Sequence, residues 1–118
     1  MNREEILAMK PGRELNTLIA EKVMGWKIQS YDDLPDVTPE PDWVSENVVF
    51  CSMSEWEPST DISAAWEVLE KSRKSGEVSM WTDKNGKWAC EIGYWIYDDC
   101  DNVPEAICKA ALLAVMEE

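Results

Sequence analysis

The chain contains no histidine, and that absence removes Ser-His-Asp and Cys-His arrangements and histidine acid–base chemistry together. Glycine is sparse, five residues scattered along 118, so neither a dinucleotide-binding GxGxxG nor a phosphate-cradling P-loop can be drawn. No run approaches the roughly 18 apolar residues of a membrane helix. The opening MNREEILAMKPGREL has two early acids and no apolar signal core, so the expected place is the cytoplasm of the cell that makes it. Cations are few, 11 against 24 acids, for a formal net charge of −13. Such a field repels phosphate backbones, which disfavours direct contact with nucleic acid.

The four cysteines, Cys51, Cys90, Cys100 and Cys108, are even in number but show no C-x-x-C spacing. In a reducing compartment they read as small buried hydrophobes rather than disulfides or zinc ligands. The run YDDCDN gathers Asp98, Asp99 and Asp101, yet it lacks the glycine and the distal Glu of a calcium loop. Acids at a helix start account for it, and no metal or cofactor is expected.

What remains is enough for one α+β domain spanning 1–118. Leu15, Leu18, Ile19 and Val23 recur at helical spacing, which predicts a helix over about 11–24 with Pro11 early in it and Gly25 ending it. Arg3 to Met9 can form a short helical turn. A second helix is predicted over about 60–75, capped by Ser59 or Thr60, with Ile62, Ala65, Trp66 and Leu69 as its buried stripe. Truncating a core Trp66 would cost about 3–5 kcal/mol. Asn85-Gly86 predicts a two-residue hairpin turn within 77–97, pairing Lys84 with Lys87 and putting Trp81, Cys90 and Ile92 on the core face. A last helix over about 104–117 starts at Asp101 or Asn102 and buries Ile107, Ala111, Ala114 and Val115. The expected fold is a small antiparallel sheet sandwiched by helices. Its α-β-β-α half has the outline of double-stranded-RNA-binding modules, but Asp101, Asn102 and Glu105 stand where a basic helix start would be needed.

Between about 28 and 58 the periodicity fails, and an irregular acidic insertion is expected around two short extended runs, WKIQSY and NVVFCSM. From Ile28 to Glu70 there is no Lys or Arg. Two binding sites can be drawn from this. One is an acidic protein-interaction face made of Asp32, Asp33, Asp36, Glu40, Asp42, Trp43, Glu55 and Trp56, offered to a partner with a basic surface. The other uses the surplus of tryptophans, seven in all, as stacking surfaces. There Trp43, Trp56 and Trp95, with Arg13, Lys27 and Lys87 as cations, would sequester a nucleotide-type small molecule. Such a pocket usually lies at an oligomer interface, so a homo-oligomer is part of that alternative.

Three stretches also resemble a known family: GRELNTLIAEKVMGW at 12–26, STDISAAWEVLEK at 59–71 and PEAICKAALLAV at 104–115, about a third of the chain. They are similar to the phage ABA sandwich domain family of small phage and prophage proteins. The resemblance implies an α/β sandwich with no assigned catalytic motif, hence an accessory rather than an enzymatic role. It makes the expected partner of the acidic face a host protein with a basic surface, such as a nucleic-acid-binding defence enzyme, and the expected place the cytoplasm of the bacterial host; a structural phage part is a further alternative. The 27–57 segment shows no family pattern.

The cysteine reading is directly checkable. Thiol titration of the unfolded, unreduced protein should find four free thiols per chain; two or fewer, or stoichiometric zinc by elemental analysis, would contradict it.

Overall fold

The computed structural model describes residues 3–29, 41–45 and 48–116. In chain order the elements are α1 (Arg3–Ala8), α2 (Arg13–Leu18) continued by a π-helical turn (Ile19–Val23), and β1 (Lys27–Gln29), β2 (Asp42–Ser45) and β3 (Val48–Ser52). A 3₁₀ turn (Met53–Glu55) leads to α3 (Ile62–Ser72), which ends in a second 3₁₀ turn (Arg73–Ser75). Then come β4 (Val78–Thr82), β5 (Trp88–Ile92), β6 (Trp95–Cys100) and α4 (Val103–Met116). The class is α+β, as expected. The strands form two antiparallel three-stranded sheets, β1-β2-β3 and β4-β5-β6, where a single sheet was anticipated.

Helix α4 is the centre. Every residue from Ala106 to Ala114 is buried, and the helix packs on β5, β6, α3, α1 and the π-helical turn. A helix apolar around its whole circumference has no solvent side to keep, and its alanines let all these neighbours approach. Its start is fixed by Asn102, whose Oδ1 accepts the Glu105 backbone N–H at 3.0 Å, one half of a capping box.

One polar residue interrupts this helix. Lys109 is 2% exposed, and its ammonium donates to Glu105 Oε1 (2.9 Å), the Leu7 carbonyl (3.1 Å) and the Tyr97 hydroxyl (3.3 Å). Three donors meet three acceptors, from α4, α1 and β6. Glu105 in turn accepts from the Cys100 thiol (3.2 Å) and the Asn102 amide (3.4 Å). Burial works against the Lys109 charge, yet the bonds to Glu105 and Tyr97 outweigh it and hold its pKa above the ordinary value. Burial pushes the Tyr97 hydroxyl up, against the opposing pull of Lys109.

The thiols are free. Burial raises Cys90 to about 12 and Cys100 to about 11, and raises Cys108 as well. Half-buried Cys51 is raised by burial first, then by Glu55, Glu67 and Asp42.

Three expectations are corrected. First, α3 buries Ala64, Ala65, Val68, Leu69 and Ser72, while Ile62 and Trp66 are 50% and 55% exposed. The helix is turned so that its small side chains, rather than its largest one, lie against α4. Its cap is Asp61, which accepts the Ser63 N–H at 3.3 Å. Second, the hairpin loop is longer than two residues. Gly86, at φ +78°, donates to the Asp83 carbonyl (3.0 Å), Asp83 donates to that of Lys87 (2.9 Å), and the Asp83 carboxylate takes the Asn85 and Lys87 N–H groups. This is a three-residue loop closed by a glycine bulge, and it pairs Met80 with Cys90 and Trp81 with Ala89. The one-residue slip turns β4 over: Val78 and Met80 pack on the core, and Trp81 is 41% exposed. Third, the 87–97 strand breaks at Gly93-Tyr94 into β5 and β6, with Gly93 at φ +64° in the first loop position. The insertion also holds more order than its sequence promised, since β2 was not anticipated and pairs on both sides.

These findings set two stability predictions. Trp66→Ala should lie within about 1 kcal/mol of the parent in urea unfolding, whereas Ile107→Ala, fully buried, should cost about 3 kcal/mol. The reverse order would show that α3 is rotated from the position described. Lys109 and Tyr97 both bind their protons more tightly in the folded protein, so their contribution is complete below the unfolded values of 10.5 and 10.0 and is lost as pH rises through the folded ones. The buried thiols have the same sign and begin the loss above 9.0. Urea midpoints should therefore fall above about pH 9–10, and Lys109→Met should flatten the upper part of that fall. At neutral pH the same variant should lose about 3 kcal/mol, because Glu105 keeps its other bonds but loses its counter-charge.

Candidate functional site

The sequence D-I-S-A-A-W-E-V-L-E of α3 puts Ile62, Trp66 and Glu70 one turn apart on a single row. Because Ala64, Ala65, Val68 and Leu69 satisfy the core, this row is left outside, bordered by exposed Asp61, Ser63 and Glu67. Glu55 and Glu57, from the segment entering the helix, are exposed too. The result is an apolar pair set among carboxylates.

Behind this face the acidic segment is anchored by aromatics. Trp26 stacks on Phe50, with ring centroids 4.8 Å apart, and meets Trp56 at 4.7 Å. Trp56 is 5% exposed and satisfies its indole N–H on Glu67 Oε2 at 3.2 Å, which ties the β1-β2-β3 side of the molecule to α3.

A second feature is concave. A cavity of about 300 Å³ opens between the start of α2 and the segment leading into α3, with Arg13, Asn16, Trp43, Met53, Glu57 and Thr60 among its walls. Two of its lining residues, Gly12 and Asn16, are held by wholly buried Ser59, expected as a helix cap and found here as a cross-link. Ser59 gives both its backbone N–H (2.9 Å) and its hydroxyl (2.7 Å) to Asn16 Oδ1, and its hydroxyl oxygen accepts the Gly12 N–H at 2.9 Å.

The anticipated site residues scatter. Asp32, Asp33, Asp36 and Glu40 lie outside the described residues. Asp42 is half-buried in β2, and Glu55 is exposed. Trp43 and Trp56, expected on a binding face, are 1% and 5% exposed, because β2 is a central strand and Trp56 is covered by Trp26 and held by Glu67. Of the expected ligand set, Arg13 and Trp43 share the cavity. Lys27 lies in a separate shallow depression beside Lys22 and Trp26, Lys87 is engaged by Asp101, and half-buried Trp95 lies under the Arg3 guanidinium, 5.8 Å from its ring centroid.

The sequence reading missed the Ile62–Trp66 row and the Lys109 cluster. The contiguous pattern Ala64, Ala65, Val68, Leu69 was the available signal for the first; a lone Lys inside AICKAALLA was the signal for the second. Chemically, the buried thiols are held protonated and none is an activated nucleophile at neutral pH. Among the described residues no group of three or more Cys, Asp or Glu side chains is placed to hold a metal ion. No described helix is long and apolar enough to cross a membrane.

With this geometry in hand, comparison with known proteins gives two matches. The description "Phage ABA sandwich domain" matches residues 17–112, from within α2 to most of α4. The fold is similar to the crystal structure of a phage protein from Bacillus cereus ATCC 14579, with a TM-score of 0.58 and 27% identity over 92% of this chain and 94% of that one. No curated protein matches. The matched span takes in β1 to β6, including the segment in which the sequence alone showed no family pattern, so the chain belongs to the phage ABA sandwich domain family.

Proposed function

We propose that this protein is a non-catalytic phage or prophage accessory protein that captures a host protein through the acidic outer face of α3 and the segment before it. One observation carries the reading: Trp66, 55% exposed, stands beside exposed Ile62 on a row bordered by carboxylates. A tryptophan left half open costs solvation that nothing inside the fold requires, and tryptophans of this kind dominate protein interfaces. The surrounding acids, together with a net charge of −13, favour a partner whose surface is basic. A host defence component that itself binds nucleic acid would present such a surface.

A second reading, sequestration of a nucleotide-type signal, is favoured by the cavity that Arg13 and Trp43 share. It is the weaker one, since Trp56, Trp95, Lys27 and Lys87 all lie elsewhere.

The first reading is tested by capture of host proteins at two salt concentrations by the parent, by Trp66→Ala and by the triple variant Glu55→Lys, Glu57→Lys, Glu70→Lys, whose three carboxylates are exposed on this face. Capture should weaken as salt shortens screening from about 10 Å at 0.1 M. Trp66→Ala should lose at least about tenfold in affinity, as interface tryptophans do, and the triple variant should chiefly slow association. Unchanged capture by both variants would end the acidic-face account.

A further inference from the structure

We infer that the cavity between α2 and the entry to α3 binds a small zwitterion of amino-acid type: its carboxylate on Arg13 and the Asn16 amide, its ammonium on Glu57, its apolar body against Met53 and Trp43. This deepens the ligand-binding reading and rests on it, while replacing the nucleotide by a different chemical class.

The opposite charges come first. Arg13 and Glu57 line one cavity, both are exposed, and among the described residues neither enters an ion pair. A guanidinium and a carboxylate sharing one concavity select a ligand that brings both counter-charges. The amide adds direction. Asn16, which lines the cavity, has its Oδ1 doubly engaged by Ser59, which fixes the side chain and leaves its NH₂ as the donor it can offer a ligand. Ser59 is itself buried and bonded to Gly12, so this wall is preorganised and pays little to meet a ligand.

Two physical points decide against a nucleotide here. Base stacking needs an open aromatic face, and Trp43, 1% exposed, has none to offer. A phosphate dianion must also enter the field of a chain at −13 with one arginine to receive it, whereas a zwitterion enters with no net charge. The volume, about 300 Å³, is at the small end for ligand sites and suits a metabolite of amino-acid size.

The test is a nitrogen-15 NMR titration of the full chain, following the Trp43 indole N–H and the Asn16 side-chain NH₂. The probes are L-leucine and L-phenylalanine, 4-methylpentanoate and 3-methylbutylamine as single-charge counterparts, and adenosine monophosphate. At least one amino acid should shift both signals saturably. The single-charge probes should bind at least tenfold more weakly, and Arg13→Ala and Glu57→Gln should each weaken the amino acid at least tenfold while their spectra stay folded. Amino acids without a saturable shift, or bound equally well by both variants, would overturn the proposal. If adenosine monophosphate alone binds at these signals, the zwitterion is wrong and the nucleotide reading stands; if no probe binds, both fall.

Discussion

The fold depends on a charge placed where charge is costly. Lys109 carries an ammonium into the middle of α4, with 2% of the residue exposed, and an ion moved out of water must recover its solvation from the protein. It does so only when the Leu7 carbonyl, the Tyr97 hydroxyl and Glu105 are all in place. These acceptors belong to α1, at the other end of the chain, and to the consecutive elements β6 and α4. Satisfying one side chain therefore specifies how α1, β6 and α4 meet, while Ile6, Ile107, Leu112 and Leu113 supply the apolar burial that drives them together. The ion pair adds specificity more than net stability, since a well-packed apolar residue with its own partners removed could serve as well.

With the core gathered around α4, the elements at the margin are held by a few directed contacts. Ser59 joins the entry of α3 to α2, and Trp56 joins the first sheet to α3 through Glu67. Each contact satisfies a polar atom of a buried residue, Ser59 in one and Trp56 in the other, and each holds an element at the margin in place. That is why α3 can keep Ile62 and Trp66 outside without loosening the helix. The exposed α3 row and the cavity wall at Asn16 are thus carried on rigid supports.

How much of this was legible in the sequence followed side-chain periodicity and local capping. The α2 face with Leu15, Ile19 and Val23, the terminator Gly25, the cap Asn102 and the buried Cys90 and Ile92 could all be read directly. The failures have separate origins: Trp66 was taken as a marker of the core, Trp43 and Trp56 as open surface, and the loop at 83–87 as a shorter turn. In α3 two rows were available, and the smaller residues went inside because α4 lies close. In β4, Asn85-Gly86 read as a two-residue turn set the register, but the Asp83–Lys87 loop spends one extra residue on a glycine bulge and reverses the strand. For the site, single residues carried less information than their placement. Arg13 and Trp43 are 30 positions apart, and only the Ser59 cross-link and the pairing of β2 show that they border the same space.

Native-state hydrogen exchange along α4 tests most directly whether everything is built on this helix. The account predicts that the amides of 107–114 exchange only through global unfolding, with the same free energy and denaturant dependence as the whole chain, while those of β1 and α1 open more readily. Exchange of α4 through a local opening well below the global value, with the β4-β5-β6 sheet still protected, would contradict it.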